Sequence, residues 1–236
     1  MTVETKMSGA TDEPGVIDLF EVMATTRAMR RLKPDPVPDE MIAKILQAAI
    51  GAPNGANRQS WRFLVVKDAE IKARVQKIYK RAFDEIISPM YAKSAPPPGV
   101  SAEKHEAQHG VVEYLTDHFH EAPVWIVACI ASGGSAERHV GANPAVTRMS
   151  GASIYPAVQN MLLAARALGL GSTLTTRHLL FAEEADAALG LPEGVLSYAI
   201  LPIGYPMGRF GTVTRAPLSE VVYGDRYGEP WDFLVD

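Results

Sequence analysis

Cysteine is almost absent. The one cysteine of the chain, Cys129, excludes an intrachain disulfide framework and a multi-cysteine zinc site. It lies in "PVWIVACIA", an apolar run that reads as a buried strand, where a free thiol behaves as a small hydrophobe. A basic excess is missing too: 23 Lys and Arg against 27 Asp and Glu give a formal net charge of -4. That balance argues against a nucleic-acid partner and makes any anion site a local one. No run approaches the ~20 apolar residues a membrane helix needs, so no membrane partner is expected. The opening "MTVETKMSGATDEPG" has no apolar stretch of signal-peptide length. Residues 1–15 are therefore expected to form a disordered tail, and the protein to be cytoplasmic. Nucleophile elbow, triad order, Walker loop and zinc signature are all lacking, so no catalytic side chain and no metal ligand is assigned.

What is present is enough for a sizeable core. With 236 residues, 47% of them hydrophobic, the chain can form one large domain or two small ones. "VIDLFEVMAT" places Val16, Leu19, Phe20 and Met23 on one helical face. After the proline-punctuated "PDPVPDE", Asp39 is the expected N-cap of a helix that shares Met41, Ile42, Ile45, Leu46 and Ala49 on a face and stops near Gly51-Ala52-Pro53. Arg62 to Lys67 reads as a strand. Helical spacing resumes in "DAEIKARVQKIYKRAFDEII" and is broken by "SAPPPGVSAEK", which reads either as a lid or as a stiff spacer.

A polar helix with His105 and His109 four apart follows; without an HExxH pattern it reads as a solvated face rather than a metal pair. "PVWIVACIA" is the second strand, and the loop "SGGSAERHVGANP" after it fails the dinucleotide GxGxxG pattern. Met149 to Leu168 is apolar nearly all round, as a central buried helix would be, with Pro156 in its first turns or at a kink and Gly169 and Gly171 ending it. "STLTT" is a short β-prone run, "EEADAALGLP" a short helix with a glycine stop, and "LSYAILPIGYP" a strand. "GEPWDF" is too apolar for a free tail. Strands and helices do not alternate as regular βα units, so the expected class is α+β, with a sheet between helices, rather than a doubly wound parallel sheet.

Four stretches carry chemistry. In "TTRAMRRLKPDP", Arg27, Arg30, Arg31 and Lys33 crowd together; arginine's planar fork matches a phosphate, although cations at a helix C-terminus would look the same. "APNGANRQSW" sets Asn54, Asn57 and Gln59 before a tryptophan, as a surface turn or as a loop for a flat polar ligand. "GLGSTLTTRH" offers backbone amides and threonine hydroxyls, and "RAPLSEVV" carries Arg215, either a further phosphate ligand or a surface charge. One anion clamp, one amide loop and several glycines suit a phosphorylated planar cofactor that itself carries the chemistry.

In this order and spacing, "TTRAMRRLKPDPVPDEMIAKILQAAIGAPNGANRQSWRFLVV", "SIYPAVQNMLLAARALGLGSTLTT", "LPIGYP" and "RAPLSEVV" resemble the FMN-dependent nitroreductase family over about residues 16 to 231. The resemblance implies an α+β fold with a mainly antiparallel central sheet flanked by helices, and an obligate homodimer with FMN at the interface. By position, Arg27 and Arg30 would hold the FMN phosphate together with Arg215, and Ala28 and Met29 would add backbone contacts. Pro53, Asn54, Gly55 and Asn57 would reach the flavin from the partner chain. Leu174, Thr175 and Thr176 would approach its ring system, while Trp61 anchors the amide loop in the core.

The implied activity is NAD(P)H-dependent, ping-pong reduction of an electron-poor small molecule such as a nitroaromatic or a quinone. Tyr91 and Lys93 are the expected substrate-side residues. The chain also departs from the pattern: Thr26 stands for the first arginine, Ala28 and Asn54 for serines, and Ser60 for the proline before Trp61. "STLTT" resembles the threonine-rich version of the iodotyrosine deiodinase branch. A dehalogenase-like or flavin-consuming enzyme, or a flavin carrier without turnover, are the alternatives.

Overall fold

The computed structural model describes residues 17–96, 100–131, 149 and 151–234. The expected tail, the "SGGSAERHVGANP" loop and residues 97–99 of the proline stretch lie outside the described residues.

Among the described residues the strands β1 (Trp61–Val66), β2 (Val124–Ala131), β3 (Gly171–Ser172) and β4 (Val195–Gly204) form one sheet, in the order β1-β2-β4-β3. Every pairing in it is antiparallel, from Trp61↔Ile130 through Val124↔Ile203 to Gly171↔Gly204. β2 is an unbroken apolar run because helices cover both of its faces. Its alternate residues separate as the pleat requires: Val124, Ile126 and Ala128 enter one core, Trp125, Val127 and Cys129 the other. The expected α+β architecture, an antiparallel sheet between helices, is the one observed.

On the first face lie α2 (Asp39–Ile50) and α6 (Tyr155–Ala167), which pack Ile42, Ile45 and Ala49 with Ala157, Val158, Met161 and Ala165. Trp61 is buried in the same core, as its anchoring role requires. On the second face lie α3 (Ala69–Ala82) and α5 (Ala102–His118), contributing Val75, Tyr79 and Leu115. There Tyr79, Phe119 and Trp125 stack in series, with centroids 4.3 and 4.2 Å apart.

Several expectations shift. Asp39 is the first residue of α2, and Pro38 holds the cap position without a side-chain hydrogen bond. The helix expected from Met149 starts at Tyr155, because Gly151 adopts a left-handed φ of 81° and a turn precedes the helix; Pro156 then falls in the first turn, where its missing N–H is harmless. α3 does not run smoothly to Ile87: a π-helical turn at Phe83–Ile87 follows it and leads into α4 (Ser88–Ala92). Only Ser172 of the β-prone run is strand, forming β3 with Gly171, which was expected at the end of the helix and instead lies past it, and Thr175 joins Ile200 by an isolated bridge. α1 (Leu19–Thr25) is capped by Asp18, yet within one chain its apolar residues Leu19, Phe20 and Met23 are 55%, 63% and 47% exposed. The "GEPWDF" segment is likewise uncovered, with Trp231 and Phe233 exposed.

Candidate functional site

The arginine segment leaves α1 and becomes a strap across the rim of the sheet. Thr26 closes the helix, its N–H donating to Val22 O at 2.8 Å. Arg27 and Arg30 therefore do not share a helix end, as their spacing allowed; both lie beyond it in non-helical backbone. The sheet outcompetes further helix because it satisfies the strap's N–H groups: Met29 donates to Ser172 O at 2.9 Å and Lys33 to Tyr205 O at 2.8 Å. Met29 is buried, Arg30 half-buried, and Arg27 and Ala28 exposed. Gly171 makes the close approach possible, since a Cβ there would stand 2.8 Å from Leu32 Cδ2 and 2.9 Å from Met29 Cβ.

Arg27 reaches toward the C-terminal segment, its Nη1 3.9 Å from where a Cβ on Gly211 would be. That segment is tied alongside α1 by Val213 N–H donating to Ala24 O at 3.0 Å, and it carries the exposed Arg215 two residues on. The sheet edge thus brings Arg27, Ala28, Met29, Arg30 and the Arg215 segment to one flank. Among the described residues none of Arg27, Arg30 and Arg215 has a carboxylate partner.

Past β3 the chain runs through Leu174, Thr175 and Thr176 into a 3-10 turn, Arg177–Phe181. Thr175 is pinned twice: its backbone exchanges hydrogen bonds with Ile200 at 3.1 and 2.9 Å, and its Oγ1 lies 2.9 Å from Tyr79 Oη. Leu174, Thr175 and Thr176 line a cavity of about 560 Å³, closed on another side by Ile87, Met90, Tyr91 and Ser94. The π-helical turn delivers those last residues, a distortion often found beside functional sites. Tyr91 is therefore at the cavity. Lys93 is not among its lining residues; it is exposed at the end of α4, where its N–H bonds Met90 O.

The face of α5 expected to be solvated instead backs Tyr91, whose ring centroid lies 6.4 Å from His105 and 4.8 Å from His109. His109 Nε2 is buried there.

The amide loop uses part of its polarity to build itself. Asn54 Oδ1 accepts from Gln59 N–H at 2.8 Å, and Asn57 Oδ1 accepts from Gln59 Nε2 at 3.3 Å. Gly55 N–H donates to Ser153 Oγ at 3.1 Å, which seats the loop on the turn before α6. Ala56, Asn57 and Gln59 each have φ of 51°, three left-handed non-glycine residues within four positions. Strain of this kind persists only where the surroundings over-determine it. Among the described residues the hydrogen bonds of Asn54, Gly55 and Asn57 run inside the loop or to Ser153, and none joins them to the strap or the cavity.

The family model described as the Nitroreductase family matches residues 23–205. The chain belongs to the nitroreductase family. It is 29% identical over 220 residues to an NADH dehydrogenase of Thermus thermophilus, covering 88% of this chain and 96% of that one. It is 30% identical over 189 residues to iodotyrosine deiodinase 1 of Rattus norvegicus, covering 80% of this chain and 62% of that longer protein. In fold it resembles an oxidized iodotyrosine deiodinase bound to FMN and 3-iodo-L-tyrosine, with a TM-score of 0.66, 24% identity, and coverage of 89% of this chain and 99% of that one.

For this nitroreductase-family chain, sequence reasoning missed part of the cavity wall: Ile87, Met90, Ser94, Arg177 and Leu180. Arg177 is the most consequential. Its guanidinium stacks over Tyr79 at 4.4 Å and Phe83 at 5.0 Å and donates to Thr116 Oγ1. Burial pushes its pKa down, countered by the Tyr79 and Tyr91 phenols, while the Arg30 charge pushes it lower still. Burial raises the Tyr79 phenol. The signal for Arg177 was a charge directly after the threonine run, but its partners come from α3, the π-helical turn and α5.

Proposed function

We propose that the chain is an FMN-dependent oxidoreductase, a homodimer that takes reducing equivalents from NAD(P)H and passes them, in ping-pong order, to an electron-poor small molecule such as a nitroaromatic or quinone. The observation that carries this reading is the Met29–Ser172 hydrogen bond. It ties a strap bearing uncommitted arginines to the stretch that, a few residues on, lines the cavity. The donor set fits a phosphorylated planar group: guanidiniums without carboxylates for the phosphate, then hydroxyls and backbone amides along the wall.

In this reading Arg27, Arg30 and Arg215 hold the phosphate, and Ala28 and Met29 support it through backbone. Leu174, Thr175 and Thr176 run along the ring system. Because Thr175 Oγ1 is committed to Tyr79, Thr176 is the threonine whose hydroxyl is free to reach the ring. Pro53, Asn54, Gly55 and Asn57 of a second copy cover the other side, which accounts for a strained amide loop that, among the described residues, has no hydrogen bond to the strap or the cavity in its own chain. When bound, the flavin supplies the hydride and electron transfer. The chain's residues bind its phosphate, orient its ring and fix where the acceptor lies. Residues 16–236 would act as the single flavin-binding domain.

The test is an absorbance spectrum of the purified protein, followed by anaerobic titration with NADPH and then NADH. Flavin bands that bleach with a nicotinamide and return with a nitroaromatic are expected. A colourless protein that takes up no added FMN overturns the cofactor assignment, and bands that persist against both nicotinamides point to a carrier.

A second reading, reductive removal of halide from a halogenated phenol, is supported by the 30% identity to the rat deiodinase and by the Leu174-Thr175-Thr176 stretch. Iodide release from an iodophenol by the reduced protein would favour it over nitro reduction.

A further inference from the structure

Among the described residues the cavity wall contains a cation with no anion. Arg177 lines the cavity beside Leu174, Leu180, Met90 and Ile87, a largely apolar surround. Among the described residues it has no carboxylate within salt-bridge distance. Its charged neighbour is Arg30, of the same sign, and the titratable groups facing it are the Tyr79 and Tyr91 phenols. The guanidinium is held in place rather than free, clamped by two aromatic rings and by Thr116 Oγ1.

A half-buried charge among apolar side chains is costly until a counter-ion reaches it, and arginine cannot relieve the cost by losing its proton at any working pH. With one Nη spent on Thr116, part of the planar fork remains for a carboxylate. A cavity of about 560 Å³ is of ligand size, and its apolar and aromatic lining suits a flat ring. Since the chain as a whole carries a formal charge of -4, attraction for an anion has to come from local cations, and Arg177 is the one that lines this cavity.

We propose that Arg177 is a specificity-determining residue that selects planar aromatic carboxylates as the acceptors bound in this cavity. The inference rests on the reading of the cavity as the acceptor's side of the site. Arg177 pairs with the acid group, and Tyr91, Met90 and Ile87 contact the ring.

The experiment is a calorimetric titration of the purified protein, as isolated and after saturation with FMN, with 4-nitrobenzoate and with its uncharged counterpart 4-nitrobenzamide. Flavin uptake is followed separately by fluorescence quenching. The wild-type chain is expected to bind the acid at least tenfold more tightly than the amide. That ratio should fall to near one in R177Q and be partly kept in R177K. Equal affinities in the wild type overturn the inference, as does a folded R177Q that keeps the ratio. If R177Q does not fold, the wild-type ratio and R177K still decide. A wild type that prefers the acid but takes up no FMN overturns the cofactor reading and leaves the acid site standing. An R177Q that loses FMN affinity while keeping the acid preference moves Arg177 to the phosphate and overturns the inference alone.

Discussion

The phenol of Tyr79 and the hydroxyl of Thr175 meet at 2.9 Å, both buried, and join α3 to the stretch that lines the cavity. The same tyrosine ring stacks on Phe119 and carries the Arg177 guanidinium on its face. One side chain of α3 therefore supports the core on one side and the wall of the site on the other.

Tyr79→Phe keeps the ring and removes only that hydrogen bond, leaving the Thr175 hydroxyl unpaired in the interior. The expected loss is about 1–2 kcal/mol, read as a lower urea midpoint at unchanged slope. An unmoved midpoint would mean that Thr175 has another partner and that the contact is incidental.

Gly171→Ala tests the strap. The new methyl would meet Leu32 Cδ2 at 2.8 Å, Met29 Cβ at 2.9 Å and Pro206 Cβ at 3.2 Å, three atoms of a packed layer rather than one flexible tip. The strap carrying Arg27 and Arg30 must lift, at a cost of about 1–3 kcal/mol typical of an overpacked core. FMN affinity is expected to fall with stability, measured by flavin fluorescence and by urea melts. A variant that binds FMN as the wild type does would separate the strap's position from the cofactor.

These two contacts also mark the limit of what the sequence revealed. β2 was legible because nothing but helices on both faces makes Val124–Cys129 continuously apolar. α6 was legible from its apolar positions, of which Ala157, Val158, Met161 and Ala165 face the first core, but it is not buried all round, since Tyr155 and Gln159 are exposed within one chain, and its start was hidden because the left-handed turn at Gly151 halts the pattern before Tyr155. The arginine strap was recognisable by composition, but the hydrogen bonds that pull Arg27 and Arg30 off the helix come from residues some 140 to 170 positions later. Arg177 showed in the sequence only as a charge after the threonine run, because Tyr79, Phe83 and Thr116 are assembled around it only by folding. Lys93 shows the converse, since proximity to Tyr91 in sequence does not bring it to the lining of this cavity past the end of α4.

Acid should weaken the fold through His178. It is fully buried, with Nε2 at 3.1 Å from Ser197 Oγ. Ser197 in turn donates to Asp186, so the imidazole is held with its proton on Nε2. Burial pushes its pKa from 6.5 down to about 4. The folded chain therefore keeps the ring neutral where the unfolded chain protonates it, and the unfolded state binds more protons between those values. The stability associated with His178 is complete above pH 6.5 and lost as the pH falls toward 4, by roughly 3 kcal/mol. Urea midpoints at several pH values in this window, compared with those of His178→Gln, isolate the contribution, because the carboxylates titrate in both chains. Parallel curves for the two would show that the imidazole takes its proton as readily folded as unfolded.

The uncovered apolar face of α1 bears on assembly. Leu19, Phe20 and Met23 are more exposed than buried or nearly so, while Val22 on the same short helix is buried against its own chain. A helix with a second apolar face is stable in water only at some cost in exposed area, and covering it with another copy removes that cost. Phe20→Asp places a charge at the most exposed of these positions without touching either core. If the homodimer reading is right, the wild type sediments as a dimer at micromolar concentration and F20D as a monomer with the wild-type circular dichroism. In the same reading flavin affinity falls together with dimerisation, because there the amide loop at Pro53–Asn57 is assigned to the flavin of the second copy. A monomeric F20D that holds FMN as tightly as the wild type would leave that loop without a role at the cofactor, and the strain at Ala56, Asn57 and Gln59 would need another cause.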